Sequence, residues 1–336
     1  MEIMQPPRAD LSEKFVGELD WNLLRTFVII VQEGGITAAA HRLLLRQPTV
    51  SQALQRLEGR LGARLIERGR GVFRVTAAGR ELYRECVGIY GSIARLADVA
   101  TAASQTITGN VHISLASHVI TPLLDDTIAA FHAAHPGATY RIKIETSADV
   151  ARSVQEGTAS LGICLVNKRL PQLDYQMIYR EFFGFFCGPA HPLFGRKGLR
   201  LDDLRGLAAV SFDTDYVGDA LRPVALLRRQ YELGQPVVGQ SPHLEEVRRM
   251  VLCGLGIGPL PIHVMERDVR DGLLWRLPPY RDPPAIDIYL VTNPKRGRNR
   301  AEAGFIAALR RRIADTPVAQ RTYSGTVDPR NPTNPA

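Results

Sequence analysis

Cysteine is scarce in this chain and never paired. The four cysteines, Cys86, Cys164, Cys187 and Cys253, stand singly, with no Cys-x-x-Cys spacing, and the eight histidines are scattered. A disulfide framework and a zinc site are therefore not expected; the cysteines read as small buried hydrophobes in a reducing cytoplasm. Long apolar runs are missing too. Near the start the densest is Phe27 to Val31, and a bilayer span takes about 20 residues. The polar segment 1–18 has no signal-peptide core. A membrane partner is not expected, and residues 1–19 read as a disordered arm.

Catalytic signatures are likewise absent. The Gly254–Gly258 run leads into Pro259 and Pro261 rather than into a phosphate-cradling helix. Gln240-Ser241-Pro242 lacks the glycine that a nucleophile elbow needs. His112, His132 and His135 read as surface or satisfied residues. Neither enzyme chemistry, nor a cofactor, nor a metal is expected.

What is present is concentrated in Ile36 to Glu58. Two short amphipathic helices are joined there by a tight polar turn. Pro48 suits the first turn of the second helix, where its missing N–H would be unpaired in any case. Val50, Ala53, Leu54, Leu57 and Leu61 give that helix an apolar stripe. The opposite face carries Thr49, Ser51, Gln52, Gln55 and Arg56, short or amide-bearing groups that can pair with base edges. This is the form of a helix-turn-helix, although an ordinary helical hairpin has the same spacing.

Charge decides between the two. Between Arg42 and Arg80 stand nine arginines and only two acidic residues, Glu58 and Glu67, in a chain whose formal net charge is +8. A solvated face would interleave signs; a one-sign patch fits phosphate contact and counterion release. The patch contains no lysine, and guanidinium suits bidentate phosphate geometry. Residues 65–76 then read as a β-hairpin with Arg68 and Arg70 at its tip and Arg74 on the return strand, a wing beside the reading helix.

Residues 20 to about 83 resemble the winged helix-turn-helix of LysR-type transcriptional regulators. The resemblance is carried by Asn22-Leu23-Leu24-Arg25-Thr26-Phe27, Gly34-Gly35-Ile36-Thr37-Ala38-Ala39-Ala40, Gln47-Pro48-Thr49-Val50-Ser51-Gln52, Leu57-Glu58, Leu61-Gly62, Leu65, Glu67-Arg68 and Thr76-Ala77-Ala78-Gly79. It implies that Gln47, Pro48, Thr49, Ser51 and Gln52 face bases, and that Arg56, Arg68 and Arg70 face phosphate or the minor groove. The residues themselves agree on Thr49, Ser51 and Gln52, while Gln47 and Pro48 also suit a helix start. Two positions depart from the family pattern: Ile66 replaces the usual Phe, and Arg46 replaces the usual small polar residue, adding a charge at the threshold of the reading helix.

From Ala77 to about Gln105, Leu82, Cys86, Ile89, Ile93, Leu96, Ala100 and Ala103 recur at alternating steps of four and three. That seam predicts a coiled-coil dimerisation helix, against the alternative of a helix lying on its own domain. Beyond Gly109-Asn110, strands and helices alternate in two α/β blocks. Strands are expected at 111–116, 139–145, 161–166, 182–187, 208–212, 237–239 and 286–292. Helices are expected at 122–135, 149–156, 219–231, 243–252 and 301–313. The blocks resemble the two-subdomain, periplasmic-binding-protein-like effector domain of the same family.

The expected fold is thus α/β with an N-terminal all-α winged helix-turn-helix (20–80), a linker helix (81–108) and an effector domain (109–313). Subdomain I takes 109–166 plus about 289–313, subdomain II about 167–288, and 314–336 form a disordered tail. Ligands of open α/β sheets bind beyond the strand carboxyl ends. That places Ser117, His118, Thr146, Ser147, Asp213, Asp215 and Gly258 in the candidate effector site, each of which could instead be a cap or turn residue. Hydroxyls and N–H groups at helix starts suit an organic acid, while Asp213 and Asp215 suit hydroxyls or amines. The resemblance implies as partners double-stranded promoter DNA, a small-molecule effector, a second copy in a homodimer that pairs into a homotetramer, and RNA polymerase as a further candidate. The reading weighed against this is a non-specific architectural DNA-binding protein.

Overall fold

The computed structural model describes residues 20–69, 72–100, 107–215 and 217–325. The arm expected at 1–19, Arg70, Ala103 and residues 326–336 lie outside the described residues, as do the side chains of Arg68, Ile93, Leu96 and Ala100. The chain divides into two compact units, Met1–Leu96 and Ala97–Ala336.

The first unit is built on three helices. Helix α1 (Trp21–Glu33) starts at Asp20, whose side chain accepts from the Asn22 N–H, and stops at Gly34 in the left-handed conformation. Helix α2 (Ile36–Leu43) ends at Leu44, which is also left-handed at φ 55° and is 93 % exposed. Helix α3 (Gln47–Leu61) carries Pro48 in its first turn and ends at Gly62. Phe27, Ile30, Ala39, Val50, Leu54 and Leu57 close a core around them. Strands β1 (Ile66–Gly69) and β2 (Val72–Val75) form the expected antiparallel hairpin with Ile66 opposite Val75. Helix α4 (Ala77–Ala100) follows. Its start is fixed by Thr76, which accepts from the Gly79 N–H and donates to the Arg64 carbonyl. A Cβ at Gly79 would lie 2.2 Å from the Leu65 carbonyl oxygen, so only glycine lets α4 lie this close to the hairpin.

The seam of α4 is divided. Tyr83 and Cys86 are buried in the core of the first unit, with Leu82 packed against it. Leu82 and Cys86 are therefore used by their own domain, as in the alternative reading of the seam, and burial raises the Cys86 thiol to about 11. Ile89 is the first seam residue left open, 44 % exposed.

The second unit has two lobes. Lobe I holds β3 (Gly109–Ala116), α5 (Pro122–Ala134), β4 (Ala138–Glu145), α6 (Ser147–Gln155) and β5 (Leu161–Leu165), with β3 parallel to both β4 and β5. Strand β6 (Asp174–Cys187) then runs through both lobes. Lobe II holds β7 (Ala209–Phe212), α7 (Arg222–Gln230), β8 (Val237–Ser241), α8 (Leu244–Leu252), β9 (Gly258–Pro261), α9 (Ile262–Arg270) and β10 (Trp275–Leu277). Strand β11 (Ala285–Thr292) returns the chain to lobe I, and α10 (Arg300–Asp315) covers it. Because β11 runs antiparallel to β5 and β6, the sheet of lobe I is mixed rather than purely parallel. The first half of β6 pairs with β11, and Phe183–Phe186 pair with β9 in lobe II.

Three expectations need correction. Helix α9 and strand β10 were not foreseen, because the prolines of β9 read as loop. Pro261 in fact ends a buried strand and stands at the N-cap position of the helix. Gly258 lies inside that strand; a Cβ there would meet Val251 and Val210 at 2.7 and 2.8 Å, so this glycine serves packing. The disordered tail does not begin at 314. Arg321 donates to the Met177 and Ile178 carbonyls at 2.7 Å, Tyr323 N–H donates to the Arg180 carbonyl at 2.9 Å, and Arg276 donates to the Gly325 carbonyl at 2.8 Å. Bonds of this kind, from guanidinium groups and one backbone N–H to distant carbonyls, are invisible in a Pro- and Thr-rich composition. Cys253 is exposed, unlike the other three cysteines, and all four are free thiols. Among the described residues no single helix is long and apolar enough to cross a membrane.

Candidate functional site

The start of α3 presents Arg46, Gln47, Pro48 and Thr49 to solvent, followed by exposed Gln52 and Arg56 a turn apart, with Ser51 half-buried beside them. Val50, Leu54 and Leu57 are fully buried on the other side and hold this face outward. Arg46 is the N-cap residue, and it makes no side-chain capping bond. The Thr49 and Val50 N–H groups donate to the Arg46 carbonyl at 3.0 and 3.3 Å, so the exposed Arg46 adds a positive charge at the positive end of the helix dipole, which favours an anion. Glu58 orients the wing: one carboxylate oxygen accepts from the N–H groups of Leu65 and Ile66 at 2.9 and 3.2 Å. This role was not read from the sequence, where Glu58 counted as a charge and as part of the Leu57-Glu58 match. Arg74 lies on the wing with Glu67 at 3.4 Å, both exposed. Arg42 is held by Glu33 at 2.6 Å, so this arginine of the patch is already paired as well.

In the second unit the predicted residues separate by duty. Ser117 joins the lobes: its hydroxyl donates to the Pro242 carbonyl at 3.1 Å and accepts from the Leu244 N–H at 3.0 Å, capping α8 from across the seam. Thr146 caps its own helix, accepting from the Asp149 N–H at 3.3 Å and donating to the Asp149 carboxylate at 2.7 Å. Ser147 is buried in the first turn. Asp213 is exposed at the end of β7, its N–H donating to the Ser241 carbonyl. Asp215 is internal to lobe II, where it pairs with Arg228 and accepts from Ser211 at 2.7 Å. Arg228 is held in turn by the Gly234 carbonyl at 3.0 Å. Asp215 and Gly258 are therefore structural in this arrangement.

His118 turns inward instead. Its ring packs edge-on against Phe183 and Phe212, and its Nε2 lies 3.7 Å from Glu181 on β6. The other oxygen of Glu181 lies 3.7 Å from His263 Nδ1 at the start of α9. Burial lowers His118 to about 4, with a smaller push from His263; burial also lowers His263 to about 4 and raises the Glu181 carboxyl well above its usual range. Tyr323 stacks on His263 at 3.8 Å. Glu181, His263 and Tyr323 were missed by the sequence reading. The available signal was a carboxylate, Glu181, directly heading the aromatic run Phe182 to Phe186. Among the described residues no group of three His, Cys, Asp or Glu side chains is placed to hold a metal.

Comparison with known proteins bears on both units. The chain is 29 % identical over 300 residues to the transcriptional activator BauR of Pseudomonas aeruginosa, covering 88 % of this chain and 95 % of the relative. Its fold matches full-length OxyR of Pseudomonas aeruginosa with a TM-score of 0.64 at 19 % identity, covering 90 % of this chain and 97 % of that one. It also matches full-length CbnR complexed with its target DNA with a TM-score of 0.59 at 20 % identity, covering 88 % and 100 %. At those identities the structures speak for the fold. Residues 21–80 match the model of the bacterial regulatory helix-turn-helix protein, lysR family, and residues 104–314 match that of the LysR substrate binding domain, so the chain belongs to the LysR family of transcriptional regulators, DNA-binding proteins with an effector-binding domain rather than enzymes.

Proposed function

We propose that α3 is the reading helix of this regulator, with Gln47, Thr49, Ser51 and Gln52 toward base edges and Arg46, Arg56, Arg68, Arg70 and Arg74 toward phosphate or the minor groove. The observation that carries this is the exposure of Arg46 to Thr49, Gln52 and Arg56 at the start of a helix whose other side buries Val50, Leu54 and Leu57. Pro48 belongs to the helix start rather than to base contact. The regulator acts in the cytoplasm as a dimer that pairs into a tetramer, setting two reading helices in successive major grooves. Ile89 and the seam positions beyond it are the dimerisation surface.

The effector is a small molecule taken at the seam that Ser117 crosses, with Asp213 and the turn after β3 as its lining. An organic acid draws less support than the sequence suggested: the first turns of α5 and α6 already carry Asp125 and Asp149, which complement the helix dipole themselves. Effector binding acts by favouring one lobe setting over another. The test is DNA-binding titration of Gln52→Ala against promoter and random duplexes across salt. Discrimination should fall by about 1–3 kcal/mol while the salt slope is kept. Unchanged discrimination removes Gln52 from base reading.

A further inference from the structure

The most unusual chemistry in the molecule lies inside the second unit. Glu181 is fully buried, and among the described residues only the two imidazoles come within ion-pair range of it, each at 3.7 Å. That is too long for a hydrogen bond. Both carboxyl oxygens, His118 Nε2 and His263 Nδ1 are buried with no hydrogen-bond partner. The tautomer of His263 is set from outside: its Nε2 faces the Ile120 carbonyl at 3.4 Å and must donate to it. A neutral His263 therefore points the Nδ1 lone pair at a carboxyl oxygen. Two acceptors face each other there unless a proton lies between them.

The groups come from separate elements. His118 sits on the turn after β3 in lobe I, Glu181 on the strand shared by both lobes, and His263 on α9 in lobe II. Tyr179 faces Glu181 from the same strand, and Tyr323 closes the cluster from the C-terminal segment, with Asp125 of α5 near Tyr323. The neighbour of His118 is Ser117, whose hydroxyl caps α8 across the seam. One two-residue turn thus meets both the lobe contact and the cluster.

We propose that Glu181, His118 and His263 form a proton-binding site that holds a single proton among the three groups when the lobes are together, so that the lobe setting of this regulator is linked to pH as well as to effector. The reason is charge. One shared proton leaves the buried cluster neutral; losing it buries an anion, and a second proton buries a cation, both disfavoured in a core. The signs give two limbs. The Glu181 carboxyl is raised, so the folded chain keeps a proton that the unfolded chain has lost, and stability falls as pH rises from the ordinary 4.5 toward the raised value. The imidazoles are lowered, so stability falls as pH drops from 6.5 toward about 4.

The test compares the full chain with Glu181→Gln and His118→Asn by unfolding across pH. Relative to Glu181→Gln, the wild-type unfolding constant should rise with pH above the ordinary 4.5, by at most about tenfold per pH unit, the slope for one proton. Relative to His118→Asn, the wild type should lose stability below about pH 6. The lobe link is read by hydrogen exchange in a peptide containing Leu244. Its protection, corrected for intrinsic rate, should fall with rising pH in the wild type and stay flat in Glu181→Gln. Should Glu181→Gln not fold, the acid limb of His118→Asn still decides. Parallel pH profiles in wild type and variant overturn the proposal. So does stabilisation by zinc chloride at about pH 8 that both His118→Asn and His263→Asn abolish, which would make the cluster a metal site instead.

Discussion

The two units place their charges in opposite ways. In the DNA-binding unit the side chains offered for function stand on the outside of α3, and the core behind them is apolar apart from Thr26. In the effector-binding unit, Asp213 apart, the polar groups singled out at the strand ends are spent on neighbours or turned inward: Asp215 pairs with Arg228, Thr146 with Asp149, Ser117 caps α8, and His118 is buried facing Glu181. The first arrangement suits a surface that meets a large polyanion and gains by displacing counterions. The second suits a body with two settings, because each internal polar contact made in one setting must be replaced in the other.

The sharpest way to break this contrast is at Asp215. Arg228→Met leaves a buried carboxylate without its cation and should destabilise the second unit by about 3–5 kcal/mol. Pairing it with Asp215→Leu should restore most of that loss, since a buried ion pair can be replaced by apolar groups of similar volume at little net cost. Thermal unfolding of both variants measures this. If the single variant is as stable as the wild type, Asp215 is open to solvent or ligand and the original assignment of it to the effector site returns.

A smaller effect is expected at Thr146, where the two roles of a strand-end hydroxyl compete. As the N-cap of α6 it is worth about 0.5–2 kcal/mol, so Thr146→Val should lower the stability of the second unit by that amount. Thr146→Ser should retain it. Promoter affinity without effector should not change in either. A stability equal to wild type in Thr146→Val would free the hydroxyl for ligand.

The same contrast decides what could be read in the sequence. The reading helix is legible because its apolar stripe and polar face alternate at one period along consecutive residues, so Thr49, Ser51 and Gln52 are located by Val50, Leu54 and Leu57. Most strands of the second unit are legible for a similar reason; Leu161 to Leu165 is apolar throughout and buried throughout. The first half of β6 is not, because Asp174, Gln176, Arg180 and Glu181 break the apolar pattern; Arg180, for one, is satisfied far along the chain, by Asp287 at 2.6 Å. Nor is the Glu181 cluster, whose members lie at 118, 181, 263 and 323. The heptad seam shows the limit of periodicity: Leu82, Cys86 and Ile89 are equivalent in sequence, yet the first two face their own core and the third faces solvent. A period says that a face is apolar, not what covers it.

The finest test lies within the DNA-binding unit, at the residue where structure and recognition pull apart. Arg46 occupies an N-cap without making the capping bond. A serine there can accept from an amide of the first turn and should raise the stability of the unit by about 0.5–2 kcal/mol. Arg46→Ser also removes a guanidinium from the threshold of the reading helix, so if Arg46 contacts phosphate the salt slope should shrink by about one unit and affinity should fall uniformly across sequences. Unfolding and salt-dependent DNA titration on the same variant separate the two effects. A gain in stability with no change in salt slope would mean that Arg46 is only a missing cap. A change in sequence preference would move it from phosphate contact to base reading. A gain in stability together with a shallower slope would show that this helix start gives up stability to hold a charge where an anion binds.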